Sequence, residues 1–194
     1  SLNNYYIDSL IISSGIETIE KNAFYDCYRM RYVELPSTLT TIGEYAFAYC
    51  GNMQNLVLPS SLTSIGEFAF TNNNLTNVTS RIQSPFEINK SVFCRYESYW
   101  DATEQKNVET YTNPNATLYV PIGTKSAYEA IEGWSVFPEI VEGEIKQTTY
   151  NGLNYQYVDG KGEATVISGD YSQITKLTIP GSIEVDGVSY IVKA

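Results

Sequence analysis

The sequence predicts a β-rich α/β solenoid with 23-residue repeats, followed by a small antiparallel β unit. Two columns of identical residues, each with a step of 23, support this interpretation. They are Phe24, Phe47, Phe70 and Phe93, and Ile19, Ile42, Ile65 and Ile88. A third observation is a short apolar strand pattern in the same register, at Leu10-x-Ile12, Val33-x-Leu35 and Leu56-x-Leu58. Internal repetition of this length is typical of solenoids, in which stacked turns share one core.

Each copy is expected to contain one strand and a compact return segment. Alternation within the strand sends the apolar residues inward and the intervening ones outward. Pro36 and Pro59 follow two of the strands and end pairing, because proline has no N–H to donate. The stretch Ile42 to Phe47 then returns the chain along the other side.

These motifs carry a family resemblance. The segment Leu58 to Phe70, LPSSLTSIGEFAF, resembles the BspA-like leucine-rich repeat of bacterial surface proteins. The segment Ala116 to Tyr128, with Gly133-Trp134 and Phe137, is similar to the element that ends arrays of that family. The resemblance implies a right-handed leucine-rich-repeat solenoid. It also implies secreted or cell-surface display, with adhesion or partner binding, and no shared catalytic residues.

Residues 1–142 are predicted to form the repeat array with a capping helix at its C-terminal end. Leu118-Tyr119-Val120 is read as the fifth strand, and Ser126 with Glu129 as a capping box that starts the helix. Four apolar side chains are expected to cover the open end of the core. These are Tyr128, Ile131, Trp134 and Phe137.

Residues 143–194 are predicted to be a linker and a small unit of β-hairpins. Hairpin turns are expected at Asn151-Gly152, Asp159-Gly160 and Asp186-Gly187. The strand Leu177 to Ile179 resembles the start of a further repeat array. We expect the segment to belong to a longer protein, with any signal peptide outside it.

Composition excludes several functional classes. The net charge is −10 and no run of Lys or Arg is present, which argues against nucleic acid and anionic membrane surfaces as partners. No stretch is long and apolar enough for a membrane span. Without histidine, no Ser-His or Cys-His nucleophile can form, and we expect no metal or other cofactor. Cys27 and Cys50 share a column and are expected to be buried thiols, and a monomer is expected.

The outward strand columns form one candidate binding surface, with Tyr32 and Glu34 as its candidate residues. Five strands about 4.8 Å apart and three residues wide give only about 250 Å². A stable protein interface needs roughly 800 Å² per partner, so this face requires help from neighbouring segments.

The insertion Arg95 to Asn115 is the second candidate. It contains four aromatic residues, Tyr96, Tyr99, Trp100 and Tyr111, among acidic residues. Exposed aromatic rings beside carboxylates can stack on sugars or anchor a protein. The alternative is that these rings pack back on the flank of the array.

The sequence therefore favours a non-enzymatic, surface-displayed binding or adhesion module that recognises a protein or a glycan. A structural spacer that projects other domains from the cell surface is the alternative. A carbohydrate-active enzyme that uses the loop carboxylates (Glu97, Asp101, Glu104 and Glu109) is the weakest reading, because a regular solenoid offers no evident cleft for a carboxylate pair.

Overall fold

The computed structural model describes residues 6–151, 153–158, 163–166, 179–186 and 188–193. The chain divides into two compact units, Ser1–Glu142 and Gly143–Ala194, and each is considered by itself. Unit 1 is β-rich, with a single short α-helix among its described residues.

Unit 1 is a solenoid of stacked 23-residue turns, as the repeat predicts. Its strands are β1 (Ser9–Ile11), β2 (Thr18–Ile19), β3 (Tyr32–Glu34), β4 (Thr41–Ile42), β5 (Asn55–Leu58), β6 (Ser64–Ile65), β7 (Asn77–Ser80), β8 (Arg95–Asp101), β9 (Lys106–Thr112), β10 (Thr117–Val120) and β11 (Glu139–Glu142). A 3₁₀ helix spans Lys90–Phe93, and α1 spans Lys125–Glu129.

The successive turns stack through parallel strand pairs. β1 pairs with β3, and β5, β7, β10 and β11 form one parallel sheet in that order. On the return side β2, β4 and β6 form a second ladder. The predicted register is confirmed, since Ser9 lies opposite Tyr32, and Asn55 opposite Asn77. β11 adds a rung that the sequence pattern did not predict.

The core of unit 1 is built from columns of identical or similar residues. The four phenylalanines of the repeat stack directly, with ring centroids 5.2, 5.4 and 5.4 Å apart. Beside them run the inward strand positions Val33, Leu56 and Val78, all buried. Gly43 is required where two turns approach closely, because a Cβ there would lie 2.5 Å from the backbone nitrogen of Lys21.

The C-terminal end of the core is covered as predicted. Tyr128 and Trp134 are fully buried, Phe137 is nearly so, and Ile131 packs against the same core. The predicted capping box is wrong, because α1 begins at Lys125 and Ser126 lies inside it. The carboxylate of Glu142, on the neighbouring rung, instead accepts hydrogen bonds from the backbone N–H groups of Gly123 and Lys125, at 3.0 and 3.1 Å. The carboxylate of Glu142 on β11 thus accepts hydrogen bonds from backbone N–H groups at the start of α1, a role that the sequence assigned to the local capping box.

Unit 2 is a small β-sheet with its own core. Its described strands are β12 (Ile145–Tyr150), β13 (Leu153–Val158), β14 (Glu163–Val166), β15 (Ser182–Val185) and β16 (Val188–Lys193), in the order β12-β13-β14-β16-β15. β12–β13, β13–β14 and β15–β16 are antiparallel, as expected, whereas β14 and β16 are parallel.

The core of unit 2 is made by Leu153, Tyr155, Tyr157, Ala164, Ile183 and Tyr190. Asn151 and Asp186, the first residues of two predicted turns, both have positive φ. Gly152, Asp159, Gly160, Gly187 and the predicted strand residues Leu177 and Thr178 lie outside the described residues.

Candidate aromatic binding surface

The insertion Arg95 to Asn115 forms a β-hairpin rather than an irregular loop. β8 and β9 pair over seven residues each, from Arg95 opposite Thr112 to Asp101 opposite Lys106. At its tip the carboxylate of Asp101 accepts hydrogen bonds from the backbone N–H groups of Thr103 and Glu104, at 2.8 and 3.1 Å. A side chain that accepts from the following backbone in this way fixes a turn.

The base of the hairpin is clamped to the third repeat by Asn72. Its Nδ2 donates to the carbonyl of Tyr96 at 2.9 Å, and its Oδ1 accepts from the Tyr96 N–H at 2.8 Å. The Thr71 hydroxyl donates to the Cys94 carbonyl at 2.8 Å. A two-stranded hairpin is marginally stable alone, so these contacts with the array hold it in place.

The two faces of the hairpin separate the candidate residues. Residues directly opposite each other in the two strands lie on the same face of the hairpin. One face carries three such pairs: Tyr96 with Tyr111, Ser98 with Glu109, and Trp100 with Asn107. Tyr99, opposite Val108, lies on the other side. Trp100 and Tyr99 are both more than half exposed. The adjacent residues that the sequence suggested as one site therefore point to opposite faces.

The face that carries Tyr96 and Tyr111 packs against aromatic side chains of the repeats. Phe68 contacts both tyrosines, with centroids 6.3 and 6.2 Å away, and Tyr45 stacks on Phe68 at 4.9 Å. Tyr25 follows Tyr45 at 6.4 Å. A further ring, Tyr49, lies 5.4 Å from Tyr25. We call these six rings, Tyr25, Tyr45, Tyr49, Phe68, Tyr96 and Tyr111, the aromatic flank.

Three members of the aromatic flank have strained backbones. Two columns of the array adopt the left-handed conformation, Asn22, Tyr45 and Phe68 in one and Asp26, Tyr49 and Asn72 in the other, with φ between 55° and 62°. Asn and Asp tolerate this region, whereas a bulky side chain there costs of order 1–3 kcal/mol. Tyr45, Tyr49 and Phe68 are thus aromatic where the local backbone favours Asn or Gly. Strain of this kind clusters at functional sites.

Two clefts border the aromatic flank. The first, the tyrosine cleft, has a volume of about 550 Å³ and is lined by Lys21, Asn22, Tyr25, Tyr45, Tyr49, Phe68, Tyr96, Glu109 and Tyr111. The second, the polar cleft, has a volume of about 460 Å³ and is lined by Glu67, Phe68, Asn89, Lys90, Ser91, Cys94, Tyr111, Thr112 and Asn113. Phe68 and Tyr111 belong to both and form a ridge between them.

Glu109 organises the hydroxyl groups at the hairpin side of the tyrosine cleft. Its two carboxylate oxygens accept hydrogen bonds from the hydroxyls of Tyr96 at 3.3 Å and Tyr111 at 3.1 Å. Desolvation and the hydrogen bond to Glu109 raise the pKa of Tyr111. Desolvation and the neighbouring Tyr49 likewise raise the pKa of Tyr25. The hydroxyls of Tyr25 and Tyr111 therefore stay protonated at neutral pH and present polar atoms beside apolar rings.

The strand-face candidates lie elsewhere. Tyr32 is half exposed on β3, and its hydroxyl donates to the Glu34 carboxylate at 3.2 Å. Neither residue lines the tyrosine cleft or the polar cleft. The structure thus brings Tyr96 and Tyr111 together with Trp100 on one hairpin face, and separates them from Tyr99, Tyr32 and Glu34.

The other acidic side chains of the insertion are dispersed. Glu97 and Asp101 lie on the hairpin face opposite Glu109, and Glu104 at the tip forms an ion pair with Lys106. Within the described part of the chain, no group of three or more Cys, Asp and Glu side chains is arranged to hold a metal ion. The described helices include none with the length and apolar content to cross a membrane.

The predicted buried thiols are confirmed. Cys27, Cys50 and Cys94 are thiols, the first two fully buried and Cys94 nearly so. The pKa of Cys50 is raised, mainly by a hydrogen bond with Cys27 and to a smaller extent by burial. The Cys50 thiol donates to the Phe24 carbonyl at 3.4 Å, and Asn73, one turn later, donates to the Phe47 carbonyl at 3.0 Å. Cys50 and Asn73 occupy the same position in successive turns, and each donates to the backbone carbonyl of a stacked phenylalanine.

Sequence reasoning missed Tyr25, Tyr45, Tyr49 and Phe68, which form the repeat side of the aromatic flank. A signal for two of them was present, because Tyr45 and Phe68 stand 23 residues apart and keep an aromatic ring in one column. Their exposure could not be read from the sequence, since they lie next to the buried Ala-Phe pair in an irregular return segment.

Stacked 23-residue turns with parallel strand ladders define a repeat protein of the leucine-rich type. The chain belongs to the family of the BspA type leucine rich repeat region, whose sequence model matches residues 2–113 in six copies. Among curated proteins, none matches the chain.

Two solved structures are similar to this chain. One is the pneumococcal vaccine antigen PcpA, 17% identical, with a TM-score of 0.48 over 72% of this chain and 36% of that one. The other is a leucine rich cell surface protein from Faecalibacterium prausnitzii A2-165, 20% identical, with a TM-score of 0.40 over 70% of this chain and 41% of that one. The chain spans less than half the length of either protein.

Proposed function

We propose that unit 1 is a non-enzymatic binding module, displayed at a cell surface, whose contacts come from the hairpin and the aromatic flank. The observation that carries this proposal is the aromatic flank itself. Its rings are held by a rigid array, yet Tyr25 and Tyr111 remain about half exposed. Tyrosine offers large contact area with a polar tip, which suits a surface that is wet when free and buried when bound.

The strained backbone supports the same conclusion. Asn at positions 45, 49 and 68 would satisfy the left-handed conformation at lower cost, as it does at Asn22 and Asn72. The presence of aromatic side chains at all three positions supports a role that stability alone does not explain. The partner is a protein or a glycan outside the cell, since membership in a leucine-rich-repeat family favours binding over catalysis.

The test is a binding screen of the full chain against extracellular-matrix proteins and a glycan array. Trp100→Ala and Tyr99→Ala are the matched pair, because the two residues are adjacent and similarly exposed but lie on opposite hairpin faces. We expect Trp100→Ala to weaken binding about tenfold and Tyr99→Ala to leave it nearly unchanged, since a buried aromatic anchor contributes upwards of 1 kcal/mol.

Equal loss in the two variants would place the contact on the hairpin tip rather than on the aromatic face. Absence of any binding partner in both panels would contradict the proposal and favour a spacer that holds other domains away from the cell.

A further inference from the structure

The tyrosine cleft and the polar cleft can be occupied by one extended ligand. They share the ridge of Phe68 and Tyr111, so a ligand of a few rings can cross the ridge and enter both. Each cleft falls within the roughly 300–1,000 Å³ typical of small-molecule sites. A protein partner instead buries a broad area of about 800 Å², which two concave clefts do not present.

Carboxylates set the polarity of the two clefts. The tyrosine cleft is lined by Lys21 and Glu109, and the polar cleft by Lys90 and Glu67. Each lysine is held in an ion pair, Lys21 with Glu44 at 2.7 Å and Lys90 with Glu132 at 3.6 Å. Glu109 and Glu67 therefore remain to meet a ligand, and they repel an anionic one. Because ionised carboxylates only accept hydrogen bonds, they are complementary to a neutral ligand that brings hydroxyl donors.

Ser91 supplies an independent indication of a ligand in the polar cleft. The residue is only 7% exposed, yet among the described residues its hydroxyl has no hydrogen-bond partner. Buried hydroxyls in proteins are almost always hydrogen-bonded, so an unpartnered one that lines a cleft calls for an explanation. A ligand hydroxyl in the polar cleft would be the partner that Ser91 lacks.

We infer that these clefts bind a neutral oligosaccharide across the Phe68–Tyr111 ridge, an inference that rests on the proposed binding function. A pyranose ring has an apolar face of C–H groups and a rim of hydroxyls. The exposed ring of Tyr111 stacks against the apolar face. Glu109, on one side of the ridge, accepts from sugar hydroxyls, and Ser91, on the other, exchanges a hydrogen bond with the next sugar.

The experiment is isothermal titration of the full chain with cellotetraose, maltotetraose, chitotetraose and mannotetraose at millimolar concentrations. We expect at least one to bind, and binding to weaken about tenfold in Tyr111→Ala, since ring stacking is the main contact. Ser91→Ala is expected to weaken it about threefold or more while leaving the melting temperature unchanged or raised, because it removes an unsatisfied buried hydroxyl. Tyr99→Ala, on the opposite hairpin face, is the control and is expected to bind normally.

Failure of all four tetrasaccharides to bind would overturn the glycan inference. So would glycan binding that survives in both Tyr111→Ala and Ser91→Ala. A third result would separate the two proposals: a matrix protein binds, Trp100→Ala abolishes that binding, and no tetrasaccharide binds. This result would overturn the glycan inference and support the proposed binding module.

Discussion

Unit 1 contains two aromatic regions, an interior stack and the aromatic flank, whose rings are arranged differently. The interior stack of Phe24, Phe47, Phe70 and Phe93 takes every ring from one column, with neighbouring planes within 16° of parallel. The aromatic flank takes its rings from several columns and from the hairpin, at interplanar angles from 9° to 70°. In a solenoid the core positions must carry similar residues in every turn, whereas positions outside the core can differ from turn to turn.

The backbone makes the same distinction. The interior phenylalanines are absent from the set of residues with positive φ, whereas Tyr45, Tyr49 and Phe68 belong to it. Burial stabilises the interior rings, and the flank rings gain less because they stay partly in water. Substitutions that compare the two regions should therefore affect stability in one and binding in the other.

The largest expected effect is in the interior stack. Phe70→Ala removes a ring that is 1% exposed and lies between Phe47 and Phe93. We expect the free energy of unfolding to fall by about 3–5 kcal/mol, because the lost burial is joined by a cavity. Urea unfolding followed by tryptophan fluorescence measures this for unit 1, which contains both tryptophans, Trp100 and Trp134. A loss below about 1 kcal/mol would show that the stack is not the main source of stability.

The capped end provides an intermediate effect with a pH signature. The buried Tyr128 hydroxyl donates to the Ile82 carbonyl at 2.8 Å and lies 2.6 Å from the Ser80 hydroxyl. Burial raises the pKa of Tyr128 to about 12. Because the pKa in the folded chain exceeds that of the unfolded chain, this stabilisation is fully present below pH 10 and is lost as the pH rises towards 12.

Tyr128→Phe is expected to cost about 1–2 kcal/mol at neutral pH, since two buried groups lose a partner. It should also remove part of the alkaline loss, at about 1.4 kcal/mol per pKa unit. Urea titrations at several pH values from 8 to 12 compare the two chains. Parallel stability curves for the two would mean that Tyr128 does not titrate in this range.

The sequence predicted the repeated parts of this molecule well and the unrepeated parts poorly. Register, inward columns and the covering residues Tyr128 and Trp134 followed from the step of 23, because each turn must continue the core of the one before. The helix start did not, since Glu142 reaches it from the next rung and no local pattern encodes such a contact.

The candidate site was predicted in part for the same reason. Composition and the insertion pointed to Tyr96, Trp100 and Tyr111, all of which lie on one hairpin face. The strand alternation that separates Tyr99 from Trp100 could not be read from the sequence, because the insertion has no visible turn signal. That Tyr45 and Phe68 lie beside the hairpin could not be predicted, because their position relative to it depends on the tertiary contact between Asn72 and Tyr96.

The most direct test of this account compares Phe68→Ala with Phe70→Ala, two residues apart in the same turn. Phe68 lies on the aromatic flank and is only partly buried, so we expect its truncation to lower the free energy of unfolding by about 1 kcal/mol. Phe70→Ala is expected to cost several times more. Equal losses in the two variants would contradict the account, since the flank would then be part of the core rather than a surface held ready for a partner.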